Sequence, residues 1–187
     1  DHRRTDYLLC IKIIQNPQPF PIALIEAKKN TDAPDKGLSQ AKEYARLNNV
    51  PFVYSTNGHL FIEYNQFTGL TAGPYPLEKF PTPDTLRQHY EQKTGISLES
   101  AIAKPLLTPY PGGDASRRYY QDAAIRAILE KIAQGKKRAL LFLATGSGKT
   151  FIAVHIMKKI TDSGQLRKAL FVCDRDELRN QGLAAFH

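Results

Sequence analysis

The stretch Leu143-Ala-Thr-Gly-Ser-Gly-Lys-Thr150 lies between two apolar runs, an arrangement typical of a strand, a loop and a helix. Two glycines let the backbone curl so that its N–H groups face a bound anion. The general pattern G-x-x-x-x-G-K-[ST] begins with Gly where this chain has Leu143, so the fit is incomplete, and a glycine-rich turn before a helix is the alternative. The residues predicted to bind a nucleoside triphosphate are Thr145, Gly146, Ser147, Gly148, Lys149 and Thr150, with the Thr150 hydroxyl on Mg²⁺.

Length and composition are those of an ordinary globular protein. The 187 residues suffice for one large or two small domains, and 42% of them are hydrophobic and 24% charged. No apolar run is long enough for a membrane span, and no signal peptide opens the chain. Cys10 and Cys173 lie in apolar runs and are predicted to be buried free thiols, so we expect a cytoplasmic protein. Because the chain starts without Met and ends inside an apparent helix, we also expect it to be part of a longer protein.

The positive charge is concentrated in the second part of the chain. The net charge is +8, and residues 111–187 hold 14 Lys and Arg against 7 Asp and Glu. The basic part is also the part with the phosphate-binding loop, which favours a polyanionic partner such as nucleic acid. Solvated lysines on helix faces are the alternative explanation.

The first part of the chain places two carboxylates and a lysine at the ends of two predicted strands. Tyr7–Ile14 and Ile22–Ile25 are apolar runs separated by a proline-rich turn, and together they predict a β-hairpin. Strand alternation puts Glu26 and Lys28 on one face, and Asp6 lies opposite them. Two carboxylates bind a hard cation such as Mg²⁺, and a lysine stabilises a negatively charged transition state. Glu-x-Lys alone is a weak signal, and a surface ion pair at a strand end is the alternative.

The next segment predicts a helix followed by a second hairpin. Leu38–Leu47 has helical periodicity and carries Gln40 and Tyr44 on one face, four residues apart. Residues 49–54 and 59–64 predict two strands joined by an Asn-Gly turn. The predicted order of this part of the chain is thus hairpin, helix, hairpin.

This arrangement resembles the PD-(D/E)xK nucleases, and its Gln-x-x-x-Tyr pair is most similar to the nuclease domain in the motor subunit of type I restriction enzymes. The resemblance implies that Asp6 and Glu26 are metal ligands and that Lys28 is the catalytic lysine. It also implies that Gln40 and Tyr44 support the site close to DNA. The family fold usually begins with a helix that can contribute a further acidic residue, and this chain starts too late to show it.

The second part of the chain predicts a parallel β-α-β unit. An amphipathic helix begins near Arg117 and ends near Gly135. Ala139–Leu143 is predicted to be a buried strand, and Leu166–Cys173 a further strand after the helix that follows the phosphate-binding loop. That order implies a right-handed crossover and a parallel sheet.

This second part resembles superfamily 2 helicases and translocases, in which ATP is the nucleotide. Gln121, before the loop, matches the family glutamine that reads the adenine edge, whereas a glutamine on a helix is usually only solvated. The segment after residue 173 resembles the family motif that contacts the nucleic-acid backbone, and an acidic Mg²⁺-binding segment is the alternative reading. The matching DNA-contacting residues are Asp174, Arg175, Leu178 and Gln181.

Together the two resemblances imply an α/β protein in three parts, with a mixed sheet and helices first and a partial parallel sheet last. Residues 1–80 would form a PD-(D/E)xK-like nuclease domain, 81–116 a linker with a helix, and 117–187 a partial RecA-like lobe with a phosphate-binding loop. The implied function is Mg²⁺-dependent cleavage of double-stranded DNA coupled to ATP-driven translocation, with the modification and specificity subunits of a type I restriction complex as partners. This chain alone is expected to bind ATP weakly and not to hydrolyse it.

Two alternatives remain open from the sequence. The first is another helicase–nuclease of restriction or DNA repair. The second is a non-catalytic DNA-binding platform fused to a helicase.

Overall fold

The computed structural model describes residues 6–13, 18–109, 119–173 and 180. The chain divides into two compact units, Asp1–Ser97 and Leu98–His187. Strands and helices alternate in the first unit, whereas the described part of the second is built from helices and irregular segments. The architecture is therefore mixed α/β, with the sheet in the first unit.

The sheet has five strands in the order β1-β2-β3-β4-β5. All neighbouring pairs are antiparallel except β2 and β3, which are parallel and are separated in the chain by helix α1. The strands are Tyr7–Ile11 (β1), Phe20–Ala27 (β2), Phe52–Thr56 (β3), Leu60–Asn65 (β4) and Leu70–Pro76 (β5), and α1 is Leu38–Asn48. The predicted mixed sheet with two hairpins around a helix is confirmed.

One face of the sheet packs against α1. The helix presents apolar side chains at helical spacing, and they meet the alternating residues of β2 and β3. The backbone turns out of α1 at Asn49, which has the left-handed conformation with φ of 53° and donates its N–H to Arg46 O. The core cluster consists of Leu24, Leu38, Ala41, Tyr44, Ala45, Val50 and Val53.

Strand β5 and helix α2 (Pro83–Thr94) complete the first unit. The sequence did not predict β5, because its glycine and prolines are turn residues and its side chains lack alternation. A helix was predicted within residues 81–116, and α2 begins there, with the Thr82 hydroxyl accepting a hydrogen bond from Thr85 N at 3.2 Å. Tyr90 of α2 is buried and contacts the ring of Phe20 on β2. The domain limits predicted at residues 80 and 116 stay a prediction. Helix α2, which that prediction put in the linker, packs on the sheet of the first unit.

Within residues 98–109 and 119–173, the second unit has a 3₁₀ turn and three helices. These are Ala101–Ala103, α3 (Lys104–Leu107), α4 (Tyr119–Ala133) and α5 (Lys149–Asp162). Helix α4 buries Ile125 and Leu129, as its amphipathic pattern predicted, and it also buries Ala133. The buried amine of Lys159 on α5 donates to Thr108 O after α3.

The two strands predicted in the second unit are not formed in the described structure. Ala139–Leu143 and the residues from Leu166 to Cys173 are irregular, and several of their apolar side chains are exposed, with Leu140 at 94% and Phe142 at 92%. A strand is stabilised by hydrogen bonds to a neighbouring strand, and in the described ranges all strands belong to the sheet of the first unit. The expected parallel β-α-β unit is therefore a wrong prediction for the part of the second unit that is described.

Both cysteines are described, and neither forms a disulfide. Cys10 is exposed on the edge strand β1, so the prediction that it is buried is wrong. Among the described helices, none has the length and apolar character needed to cross a membrane.

Candidate functional site

Glu26 and Lys28 form an ion pair where β2 ends. The Lys28 amine donates to Glu26 Oε1 at 2.8 Å, and the Glu26 side chain is nearly inaccessible, at 4%. The backbone N–H of Lys28 donates to Thr56 O at 2.8 Å, so the pairing of β2 with β3 continues past the last residue of the strand. This pairing fixes the direction of both side chains, as the alternation of the sequence predicted.

Asp6 lies next to Glu26 on the neighbouring chain segment. Tyr7 pairs with Ile25 across the antiparallel strands, which puts Asp6 level with the end of β2. One carboxylate oxygen of Asp6, Oδ2, accepts a hydrogen bond from Ala27 N at 2.8 Å. The structure thus brings Asp6, Glu26 and Lys28 together, with Asp6 at the exposed edge and Glu26 buried.

Lys28 is held in its charged form. Its hydrogen bond to Glu26 is the main cause that raises its pKa above the ordinary 10.5, while burial opposes the rise, and the charges of Glu26, Asp6 and Asp32 add to it. The amine is therefore protonated at neutral pH. A protonated amine stabilises negative charge and orients water, but it does not accept a proton.

The site has acceptor capacity for a cation. Glu26 Oε2 is buried and has no hydrogen-bond partner, which leaves a carboxylate oxygen desolvated and unpaired. Carboxylate oxygens are the preferred ligands of Mg²⁺, which needs only one or two of them because it keeps several waters. Asp6 and Glu26 fit this requirement, although no cluster of three or more His, Cys, Asp or Glu side chains occurs in the described ranges.

Gly37 is a residue of the site that the sequence reasoning missed. It directly precedes α1, and a Cβ atom at this position would lie 2.6 Å from both Glu26 Cγ and Lys28 Cε. It would also lie 3.0 Å from Ser55 Oγ on β3. Such distances are below ordinary contact, so the backbone approaches the site as closely as only glycine allows. The sequence feature that could have indicated this residue is its position, a glycine immediately before a predicted helix.

Gln40 and Tyr44 meet on α1 as their spacing predicted. Gln40 Nε2 donates to the Tyr44 hydroxyl at 3.1 Å. Tyr44 is only 5% exposed and belongs to the core cluster, so its ring also stabilises the packing of α1 on the sheet. Their proposed support of DNA cleavage stays a prediction.

In the second unit, hydrogen bonds within the loop before α5 hold its residues together. The amine of Lys149 donates to the carbonyls of Leu143 and Ala144, both at 3.0 Å. Gly146 and Gly148 have φ of 77° and 82°, which the curled backbone requires and which glycine adopts without strain. The loop residues thus form a compact turn ahead of the helix N-terminus, where an anion is favoured.

Gln121 and the preceding tyrosine support this loop from α4. Gln121 Nε2 and the Tyr120 hydroxyl each donate to Ser147 O at 3.1 Å. Gln121 is 7% exposed, and its amide nitrogen lies 2.5 Å from the position that a Cβ on Gly148 would take. The glutamine predicted to read adenine is therefore in contact with the loop backbone.

The remaining predicted residues divide into two groups. Thr145 is exposed in the loop, and Thr150 is half-buried in the first turn of α5. The predicted DNA-contacting residues Asp174, Arg175 and Gln181 lie outside the described residues, as does Leu178.

The chain is similar to endonuclease subunits of restriction enzymes. It is 36% identical over 179 residues to the type I restriction enzyme EcoAI endonuclease subunit of Escherichia coli, which covers 90% of the chain and 21% of the relative. It is 30% identical over 147 residues to the EcoKI endonuclease subunit of Escherichia coli K12, covering 73% of the chain and 12% of the relative. The chain thus spans about a fifth or less of the length of these relatives.

A family match and a solved structure agree with these similarities. Residues 114–187 match the family described as type III restriction enzyme, res subunit. A fragment described as an HsdR subunit of a type I restriction enzyme from Vibrio vulnificus YJ016 has a TM-score of 0.67 and 39% identity, over 79% of this chain and 27% of that one. The chain belongs to the family of type I restriction enzyme endonuclease (HsdR) subunits.

Proposed function

We propose that the first unit is a PD-(D/E)xK-like, Mg²⁺-dependent nuclease module that cleaves double-stranded DNA. The observation that carries the proposal is the buried Glu26, with one carboxylate oxygen paired to Lys28 and the other without a partner. A structural ion pair does not explain why a carboxylate oxygen is desolvated and left unpaired. A cation ligand does explain it.

The roles of the residues follow from their chemistry. Asp6 and Glu26 would hold the cation, which when bound lowers the pKa of a water ligand and neutralises charge on the phosphodiester. Lys28, charged at neutral pH, would stabilise the negative charge that builds up on the phosphate during in-line attack. Gln40 and Tyr44 would support DNA close to this centre.

The second unit is proposed to bind ATP through the loop that ends at Thr150. Lys149 would exchange its bonds to two loop carbonyls for bonds to the β- and γ-phosphates, and Thr150 would bind Mg²⁺. The wider function is then that of an ATP-dependent endonuclease and translocase within a type I restriction-modification complex. Modification and specificity subunits would be its partners. The DNA-contacting residues would be Asp174, Arg175, Leu178 and Gln181.

Replacement of Lys28 tests the nuclease assignment. In the complete restriction complex with Mg²⁺ and ATP, Lys28→Ala is expected to reduce plasmid cleavage about 100- to 1,000-fold, because an electrostatic stabiliser of the transition state is lost. The matched control is Lys29→Ala, which removes the exposed neighbouring lysine and should leave the rate unchanged. Undiminished cleavage by Lys28→Ala would contradict the assignment. A complex that binds DNA but never cuts would favour the non-catalytic platform instead.

A further inference from the structure

Ser55 lies beside Glu26 and is buried, and the proposed function gives it no role. Ser55 on β3 is paired in register with Glu26 on the parallel strand β2, so both side chains project from the same face of the sheet. Both residues are at a sheet position covered by the turn at Gly37, since the Cβ position of residue 37 is 2.6 Å from Glu26 Cγ and 3.0 Å from Ser55 Oγ. Ser55 is therefore part of the wall of the carboxylate site.

The Ser55 hydroxyl is buried without a hydrogen-bond partner. Its residue exposure is 0%, and its Oγ atom is completely covered by protein. A buried hydroxyl normally donates at least to a nearby backbone carbonyl, as that of Ser163 does to Ile160 O at 2.7 Å. Two buried polar atoms without a partner, Ser55 Oγ and Glu26 Oε2, thus belong to residues that are paired on neighbouring strands.

The two atoms have complementary requirements. The carboxylate oxygen needs a cation or a donor, and the hydroxyl is both a donor and an acceptor. A divalent cation that keeps part of its hydration shell provides both kinds of partner, because the carboxylate binds the ion and the hydroxyl bonds to an ion-bound water. An apolar residue at position 55 would fill the same space without a buried unsatisfied group, so serine has no packing advantage there.

We propose that Ser55 is a positioning residue of the cation site, holding a water bound to the cation that Glu26 ligates. This inference rests on the proposed cation site and adds a residue to it. It predicts opposite effects of one substitution: removing the hydroxyl relieves a buried unsatisfied group in the cation-free protein but weakens the cation-bound state. A purely structural serine would change both states in the same direction.

The test measures Mn²⁺ binding to the full chain by calorimetry, together with the melting temperature without metal. For Ser55→Ala we expect the Mn²⁺ affinity to fall about 10- to 100-fold, the loss typical of outer-shell ligands, while the metal-free melting temperature does not fall. Ser55→Cys, with a weaker hydrogen-bonding group, should give an intermediate affinity. The matched control is Ser163→Ala, which removes a satisfied buried hydroxyl in the second unit and should lower the melting temperature without affecting Mn²⁺ binding.

The possible outcomes separate this inference from the proposed function. Unchanged Mn²⁺ affinity in Ser55→Ala, or an affinity and a metal-free melting temperature that fall together, would overturn the role of Ser55 alone. If the unsubstituted chain has no Mn²⁺ site that Glu26→Gln removes, the proposed cation site fails, and the inference fails with it.

Discussion

At the scale of single residues, burial distinguishes a chemical site from a surface ion pair. Glu-x-Lys is common in sequences, and an exposed pair of this kind contributes little to stability. Here Glu26 is 3% exposed, and its two oxygens have different environments, one bonded to Lys28 and one unpaired. Glu26 thus has a lysine partner at one oxygen and, at the other, the unpaired acceptor that the proposed cation site requires.

Gly37 should be as sensitive to substitution as the charged residues beside it. In Gly37→Ala, the new methyl group would come within 2.6 Å of Glu26 Cγ, which is buried and has little room to move, so the carboxylate should be displaced. We expect Mn²⁺ affinity, measured by calorimetry, to fall about 10- to 100-fold. Lys36→Ala, on the same turn but exposed, is the control and should bind normally. Normal binding by Gly37→Ala would mean that the turn does not cover the site in solution.

The contact of Gln121 with the loop carbonyl makes a separate prediction. Gln121→Ala removes a hydrogen bond to Ser147 O, so the loop is held less firmly and any nucleotide should bind less tightly. We expect the affinities for ATP and GTP to fall together by about 2- to 10-fold, as measured with fluorescent analogues. A loss confined to ATP would instead support adenine reading, and no loss would contradict both roles.

At the scale of secondary-structure elements, the first unit followed the sequence more closely than the second. The apolar runs of β1 and β2, the Asn-Gly turn between β3 and β4 and the periodicity of α1 predicted those elements, because each of these signals lies within a few neighbouring residues. Strand β5 was not predicted, because it pairs with β4 through its backbone and does not bury a row of apolar side chains. The two apolar runs of the second unit looked like strands, but no strand partner is present for them in the described ranges.

Two phenylalanines test this difference between apolar segments. Phe61 on β4 is 2% exposed, whereas Phe142 in the irregular run before the loop is 92% exposed. Phe61→Ala is expected to lower the free energy of unfolding by about 3–5 kcal/mol, and Phe142→Ala to change it by at most about 0.5 kcal/mol. Urea unfolding of the full chain measures both. A large cost for Phe142→Ala would show that this run is buried in solution.

At the scale of the whole molecule, the proposed cleavage and ATP sites belong to different compact units. Lys149→Ala should weaken ATP binding about 10- to 150-fold, since a charge-assisted bond to phosphate is lost, and should suppress plasmid cleavage by the complete complex. Mn²⁺ binding to the first unit should be unaffected, because Lys149 contributes nothing to that site. ATP titration, a plasmid assay and Mn²⁺ calorimetry on the same preparation measure the three effects. Full cleavage by Lys149→Ala would mean that cutting does not depend on ATP.

The sequence alone determined what depends on neighbours along the chain. Alternation within a strand put Glu26 and Lys28 on one face. Helical spacing put Gln40 next to Tyr44, and the glycines of the loop allowed its curled backbone. These relations are fixed by the geometry of a strand, a helix or a turn, so they could be predicted from residue types and spacing.

Only the tertiary structure decided which distant residues share the site. The pairing of β2 with β3 brings Ser55 beside Glu26, and the turn at Gly37 covers both of them. The same packing buries the Glu26 carboxylate and leaves one of its oxygens unpaired. Sequence spacing carries no information about the register of two strands separated by a helix, because that register is set by the fit of the whole sheet and of α1 against it.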